Sequence, residues 1–107
     1  MNLFKPNSIK NIHKLSIAPM MDCTDKHFRM IMRKISHKAL LYTEMIVAQS
    51  LIYTNKKENL LDFNHEEHPI SIQFGGDDPN MLKEAAKMAQ DWGYDEINFN
   101  VGCPSPR

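Results

Sequence analysis

Strand-like and helix-like segments alternate along the 107 residues, no hairpin turn joins any two strands, and polar or reactive side chains sit at the strand ends. Alternation of this kind predicts an α/β fold with a parallel sheet and right-handed crossovers. Two completions compete, a doubly wound sheet and a TIM (β/α)8 barrel. A doubly wound dinucleotide fold wants G-x-G-x-x-G after its first strand, and this chain has A-P-M-M-D-C there. Strand ends carrying Met20, Glu44, Gln73 and Cys103 fit a barrel, whose site lies at the C-terminal rim. A full barrel needs roughly 250 residues, so four βα units predict its first half.

Taken in order, residues 1–14 are polar and Lys-rich and read as a loose leader. Leu15 to Met20 reads as a short buried strand ended by Pro19, which cannot sit in mid-sheet. Thr24 or Asp22 can cap the next helix, with Asp25 where the helix dipole favours an acid. Phe28, Ile31, Met32 and Ile35 recur at i, i+3, i+4, i+7 and predict its buried face; Lys26, Arg29, Arg33 and Lys34 fall mostly on the other faces. Ala39 to Met45 is a second strand, nearly continuous in apolar and β-favouring residues, as expected of burial on both faces.

Residues 46–53 read as a short helix, and 55–67 as a polar connector with a turn around Leu60 to Phe63. Pro69 opens a third strand, Ile70 to Phe74, stopped by Gly75-Gly76. The helix that follows is fully punctuated. Asp78 supplies an N-cap oxygen and Pro79 stands at the first helical position. Leu82, Ala85, Ala86 and Ala89 form the stripe, extended by Met81, Met88 and Trp92, and Gly93 ends it in a left-handed conformation. Tyr94 to Asn100 is the fourth strand, and the loop after it starts at Val101.

The composition, 42% apolar and 24% charged with zero net charge, is that of a globular domain rather than a disordered or disulfide-rich chain. No apolar run is long enough for a membrane span or a secretory signal, so the expected location is the cytoplasm, with no membrane partner. Charge is uneven. Six lysines, two arginines and two aspartates give residues 1–38 a net +6, and residues 39–107 carry −6. A basic segment can attract a polyanion or simply be a solvated helix face.

The chemistry-bearing candidates each have two readings. Met20 and Met21 can flank a flat cofactor, because thioethers pack on aromatic faces, or belong to the barrel core. Glu44 can be a base or an internal hydrogen-bond partner. The Gln73 amide donates and accepts at once, which suits the edge of a flavin or pyrimidine ring, and also suits bonding between strand ends. Asn98 and Asn100 share one face of their strand, towards either the barrel interior or the helices. Cys23 and Cys103, in a reducing compartment, are free thiols; Cys23 reads as a small buried hydrophobe. Cys103 lies between Gly102 and Pro104 in a tight loop. A thiol has a reference pKa of about 8.5 and near neutral pH suits a proton donor; the other reading of a lone cysteine is a small buried hydrophobe. H-E-E-H (His65 to His68) is a weak metal pattern beside Pro69, and no metal site is expected.

On these residues the chain resembles the N-terminal half of the catalytic barrel of the tRNA-dihydrouridine synthases, most closely the A type acting on uridines 20 and 20a. The carrying segments are A-P-M-M-D-C-T-D (18–25), L-L-Y-T-E-M (40–45), E-E-H-P (66–69), I-Q-F-G-G (72–76) and G-Y-D-E-I-N-F-N-V-G-C-P-S (93–105). The resemblance implies reduction of the uracil C5=C6 bond of tRNA by reduced FMN, with NADPH reloading the flavin. It also implies that Ala18, Pro19 and Met20 lie against FMN, that Gln73 hydrogen-bonds its ring system, that Asn100 contacts tRNA, and that Cys103 protonates C5. A complete member is expected to be a monomer.

Two positions depart from the A-type pattern: Cys23 stands where Trp is usual, and Pro106 where Asp follows C-P-S. The resemblance further implies a second half-barrel with additional flavin contacts and a C-terminal helical domain that holds tRNA. Without them the expectation for residues 15–107 alone is an inactive fragment. The competing readings are a non-catalytic product, or another flavin-dependent barrel acting on pyrimidines.

Overall fold

The computed structural model describes residues 12–102. The leader positions before Ile12, and Cys103 with the residues after it, lie outside the described residues. The elements in order are a 3-10 turn (Ile12–Lys14), β1 (Ser16–Ile17), α1 (Lys26–Ile35), β2 (Leu40–Val47), α2 (Ala48–Tyr53), α3 (Lys57–Leu61), a second 3-10 turn (His65–Glu67), β3 (Ile70–Gly75), α4 (Pro79–Trp92) and β4 (Glu96–Phe99). The four strands form one sheet in the order β1-β2-β3-β4, every neighbouring pair parallel. Sequential order with helical crossovers is the arrangement of the first half of a TIM barrel, as the alternation predicted.

The alternation along β3 divides the sheet into two faces. Ile70, Ile72 and Phe74 point into the core with Ala48 and Leu51 of α2, Leu61 of α3, and Ala85 and Ala89 of α4. Ser71 and Gln73 point the other way and bond to β4, as barrel-interior residues do. β3 is buried throughout. Beneath the core, the Tyr94 hydroxyl donates to Leu61 O at 2.8 Å, and burial holds that phenol well above its ordinary pKa.

α4 forms where its punctuation placed it. The Asp78 carboxylate accepts from Asn80 N at 2.9 Å, Pro79 stands in the first turn, and Gly93 adopts φ 108° while its N–H reaches back to the Ala89 and Gln90 carbonyls. Ala85 and Ala89 are fully buried, whereas Trp92 at the helix end is 42% exposed. Tyr94 N also donates to Ala89 O, so Tyr94 completes the helix cap and β4 begins two residues later than expected.

α1 departs from its expected packing. Arg29 and Arg33 are its buried residues; of the expected apolar face Phe28 and Met32 are half-buried, while Ile31 and Ile35 are 60% and 73% exposed. The two arginines lie on one helical face because they are four residues apart, and that face meets the 65–69 segment. Its N-cap is Asp25, whose carboxylate accepts from Phe28 N at 2.8 Å. Thr24 and Asp22 do not cap: the Thr24 hydroxyl is engaged by Met20, and Asp22 sits in the preceding turn at φ 60°. β1 is correspondingly short, because Pro19 has no N–H and Met20 N is turned to Thr24.

β2 runs as one strand with a register shift. Tyr42 pairs with Ser71 and Met45 with Gln73, so Thr43 and Glu44 oppose Ile72 alone, a β-bulge. The connector contains α3, whose Lys57 ammonium bonds the Leu51 and Ile52 carbonyls at 3.1 Å and Thr54 O at 3.2 Å. That places a cation on the exposed carbonyls at the C-terminus of α2.

Candidate functional site

The interior face of the sheet carries polar side chains in two layers. In the layer nearer the N-terminal strand ends, the Tyr42 hydroxyl donates to Glu96 Oε1 at 3.2 Å and Ser71 Oγ donates to the same oxygen at 3.0 Å. His13 Nε2 lies 2.8 Å from Glu96 Oε2, so the turn before β1 closes this end of the interior. Burial and the Glu96 carboxylate raise the Tyr42 pKa, which keeps the phenol protonated and donating.

The second layer lies towards the C-terminal ends, where Met45, Gln73 and Asn98 share a register. Gln73 is 8% exposed, and its amide is held on both sides. Nε2 donates to Asn98 Oδ1 at 2.7 Å, and Oε1 accepts from Asn100 Nδ2 at 3.4 Å. Asn100 Oδ1 in turn accepts from Gly102 N at 3.1 Å, and Asn100 N continues the ladder to Phe74 O at 2.8 Å. The bulge in β2 contributes a further support, because Thr43 Oγ1 accepts from Gln73 N at 3.1 Å. Asn98 and Asn100 therefore belong to the interior face, which decides between the two orientations their alternation allowed. Met45 lies over Gly75: a Cβ there would stand 2.8 Å from the Met45 sulfur.

Ala18, Pro19 and Met20 follow β1, so they lie at the same end of the parallel sheet as Gln73. Met20 and Met21 are 40% and 46% exposed. The turn is tied by Thr24, whose hydroxyl accepts from Met20 N at 3.1 Å and donates to Met20 O at 3.2 Å. Cys23 in this turn is a free, half-buried thiol. Glu44 is not brought to the Gln73 amide. The bulge turns it into a separate cleft of about 400 Å³ with Asp25, Lys26, His27, Ile46 and Leu60. Cys103 lies outside the described residues, one position beyond Gly102, whose N–H bonds to Asn100.

Sequence reasoning missed a buried ion cluster beside this site. Arg29 Nε donates to Glu67 Oε1 at 2.5 Å, with the two side chains 6% and 0% exposed. Arg29 also bonds Thr24 O, and Arg33 bonds the Glu66, Glu67 and Pro69 carbonyls. Burial lowers the Arg33 pKa, an effect opposed by the nearby Glu67 and Asp95 carboxylates. The E-E-H-P segment was the available signal, but its partners lie more than thirty positions away. Nearby, His68 Nδ1 lies 2.6 Å from Asp95 Oδ2 and the His65 and His68 rings are 5.3 Å apart, edge to face. No group of three or more metal-ligating side chains exists among the described residues, and no helix there is long and apolar enough to cross a membrane.

A family model described as "Dihydrouridine synthase (Dus)" matches residues 16–107. The chain belongs to the dihydrouridine synthase family. A tRNA-dihydrouridine(20/20a) synthase of Synechocystis sp. is 56% identical over 97 residues, which cover 91% of this chain and 29% of that protein. The synthase of the same description from Xanthomonas campestris is 48% identical over all 107 residues, or 32% of its own length. That of Vibrio cholerae is 51% identical over 94 residues, covering 88% of this chain and 28% of the relative. The chain thus spans less than a third of these relatives, matching the half-barrel that the strand order describes and the N-terminal resemblance read from the motifs.

Proposed function

We propose that residues 15–107 form the flavin-facing and uracil-facing part of an FMN-dependent tRNA-dihydrouridine synthase acting on uridines 20 and 20a of the D-loop. The observation that carries this is the Gln73 amide, pinned by Asn98 and Asn100 at the carboxyl end of the sheet. An amide has two hydrogens and two lone pairs. One of each is used within the protein, which leaves a donor and an acceptor for a ring edge. Exposed thioethers at Met20 and Met21 supply apolar packing for a flat ring. The residues present therefore fit a flavin.

In this reading Gln73 bonds the ring system of FMN and the backbone at Ala18, Pro19 and Met20 packs against it. FMN, when bound, supplies the hydride that reaches uracil C6, and NADPH restores it. Asn100 contacts the tRNA beside the target base, which has to leave its stack to be reached. Cys103 delivers its thiol proton to C5, and water returns a proton to the thiolate. The C5=C6 double bond then gains one hydride and one proton. Further barrel strands and a helical tRNA-binding domain accompany these residues in the enzyme, which works as a cytoplasmic monomer. The 107-residue chain by itself is inactive and does not retain FMN.

The test joins residues 16–107 to the remainder of the Synechocystis relative. Cys103→Ala is expected to slow tRNA uridine reduction about a hundred- to ten-thousandfold, the loss of a general acid, while NADPH oxidation by the flavin stays nearly intact. Equal loss in both half-reactions would refute the proton-donor role. Gln73→Ala is expected to release FMN on dialysis, and a variant that stays yellow would refute that contact.

A further inference from the structure

The E-E-H-P segment carries no role in the chemistry above, yet its glutamate is the most enclosed charge among the described residues. Glu67 is 0% exposed. One oxygen takes Arg29 Nε and the other takes Asn64 N at 2.6 Å, so the carboxylate is fixed to its own turn and cannot follow the arginine. A guanidinium held at Nε has its remaining N–H groups aimed by the rigid fork. Arg29 NH1 uses this to donate to Thr24 O at 2.8 Å. Thr24 is itself fully buried, and its hydroxyl closes the Met20 turn from both sides. Cys23 N and Thr24 N add two bonds to Met20 O, at 3.1 and 3.0 Å.

The geometry points to Arg29 as the positioning residue of the Met20 turn: anchored on Glu67, it sets Thr24, and Thr24 sets Met20. This rests on the reading of Ala18 to Met20 as the flavin-facing loop. A bond to a backbone carbonyl gives the arginine a use that neutralising Glu67 does not require. Arg33 serves as the contrast. It bonds four backbone carbonyls, at Ser36, Glu66, Glu67 and Pro69, and none of them belongs to the Met20 turn, so it fastens α1 to the 65–69 segment.

Amide hydrogen exchange on the 107-residue chain tests the assignment without any cofactor. In Arg29→Lys the amides of Met20, Cys23 and Thr24 are expected to exchange at least about tenfold faster, while those of β3 keep their protection. Thr24→Val leaves the Arg29–Glu67 pair in place and is expected to release the Met20 amide, which tests the Thr24–Met20 link. Glu67→Gln, which loosens the anchor of Arg29 and keeps an oxygen for Asn64 N, is expected to accelerate the same turn amides and carries the Arg29 test if Arg29→Lys does not fold. Unchanged turn amides, or equal acceleration in the turn and in β3, would overturn the assignment. FMN titration of the joined protein separates the two readings. Weaker FMN binding in Arg29→Lys and Thr24→Val supports the chain of contacts through to the cofactor. A loosened turn with unchanged FMN affinity would keep Arg29 as the turn's anchor and refute the placement of that turn against the flavin.

Discussion

The two long helices of this chain obey different rules. α4 lays an alanine stripe on the helix-facing side of β3, and its buried positions, Ala85 and Ala89, are small and apolar. α1 buries Arg29 and Arg33 and leaves Ile31 and Ile35 in solvent. Both have the helical period. What differs is the surface each one meets. α4 packs on α2 and on the hydrocarbon of the sheet, whereas α1, which also touches β2, turns its two arginines onto a turn whose carbonyls and one carboxylate need donors. Hydrophobic periodicity finds the first kind of face because burial there is dominated by apolar area. It inverts the second kind, because a buried polar group needs a bonded partner more than an apolar neighbour.

Removing the anchor from α1 is the sharpest way to break this contrast. Glu67→Leu strips the carboxylate and leaves Arg29 charged inside the protein. The expected cost is about 3–5 kcal/mol, the range for breaking one side of a buried pair. Arg29→Met combined with Glu67→Leu is expected to recover only part of that loss, since the uncompensated charge is gone while Asn64 N and Thr24 O lose their side-chain partners. Urea unfolding of the two variants beside the parent chain measures both. If Glu67→Leu alone costs under about 1 kcal/mol, α1 is held as a surface ion pair would hold it, and the distinction from α4 disappears.

The same contrast marks how far the sequence could be read. β3, α4 and the parallel order follow from local signals: Pro69 before a run of apolar residues, Asp78-Pro79 at a helix start, Gly93 at its end. Of the candidate site, the Gln73 amide was legible as a residue type, and the shared face of Asn98 and Asn100 was legible as alternation. Three things were not. The bulge at Thr43 and Glu44 leaves no mark in an apolar run, yet it places a hydroxyl on Gln73 N and turns Glu44 away from the site. Asp25 takes the cap because Thr24 is committed to Met20, a choice made by a turn and not by propensity. Arg29 meets Glu67 across 38 positions, a separation that no local window spans.

A smaller effect sharpens the comparison at the helix starts. The Asp25 carboxylate accepts from Phe28 N, and that bond holds its pKa below the ordinary 3.8. Because the folded value is depressed, the stabilisation is present above pH 3.8 and is lost as pH falls through the lower folded value. Asp25→Asn keeps an oxygen for the cap and removes the titration. Urea midpoints followed from pH 5 to pH 2 are expected to fall less steeply in the variant. Identical acid limbs would show that this cap does not contribute to the acid sensitivity of α1.

The smallest expected effect is the one that ordinary helix reading makes large. Placed on the buried face by its i+7 spacing, Ile35 would lose several kcal/mol on truncation, as core isoleucines do. At 73% exposure there is little apolar area to return to water and no cavity to open. Ile35→Ser is therefore expected to change stability by no more than about 0.5 kcal/mol, the range of an exposed substitution. The variant also separates two explanations of the inversion. If Arg29 and Arg33 are inside because the turn requires donors, the isoleucines are passive and Ile35→Ser is silent. A loss above about 1.5 kcal/mol in the 107-residue chain would mean that Ile35 is covered in solution, so that α1 has a second packed face and the arginine side is only one of two.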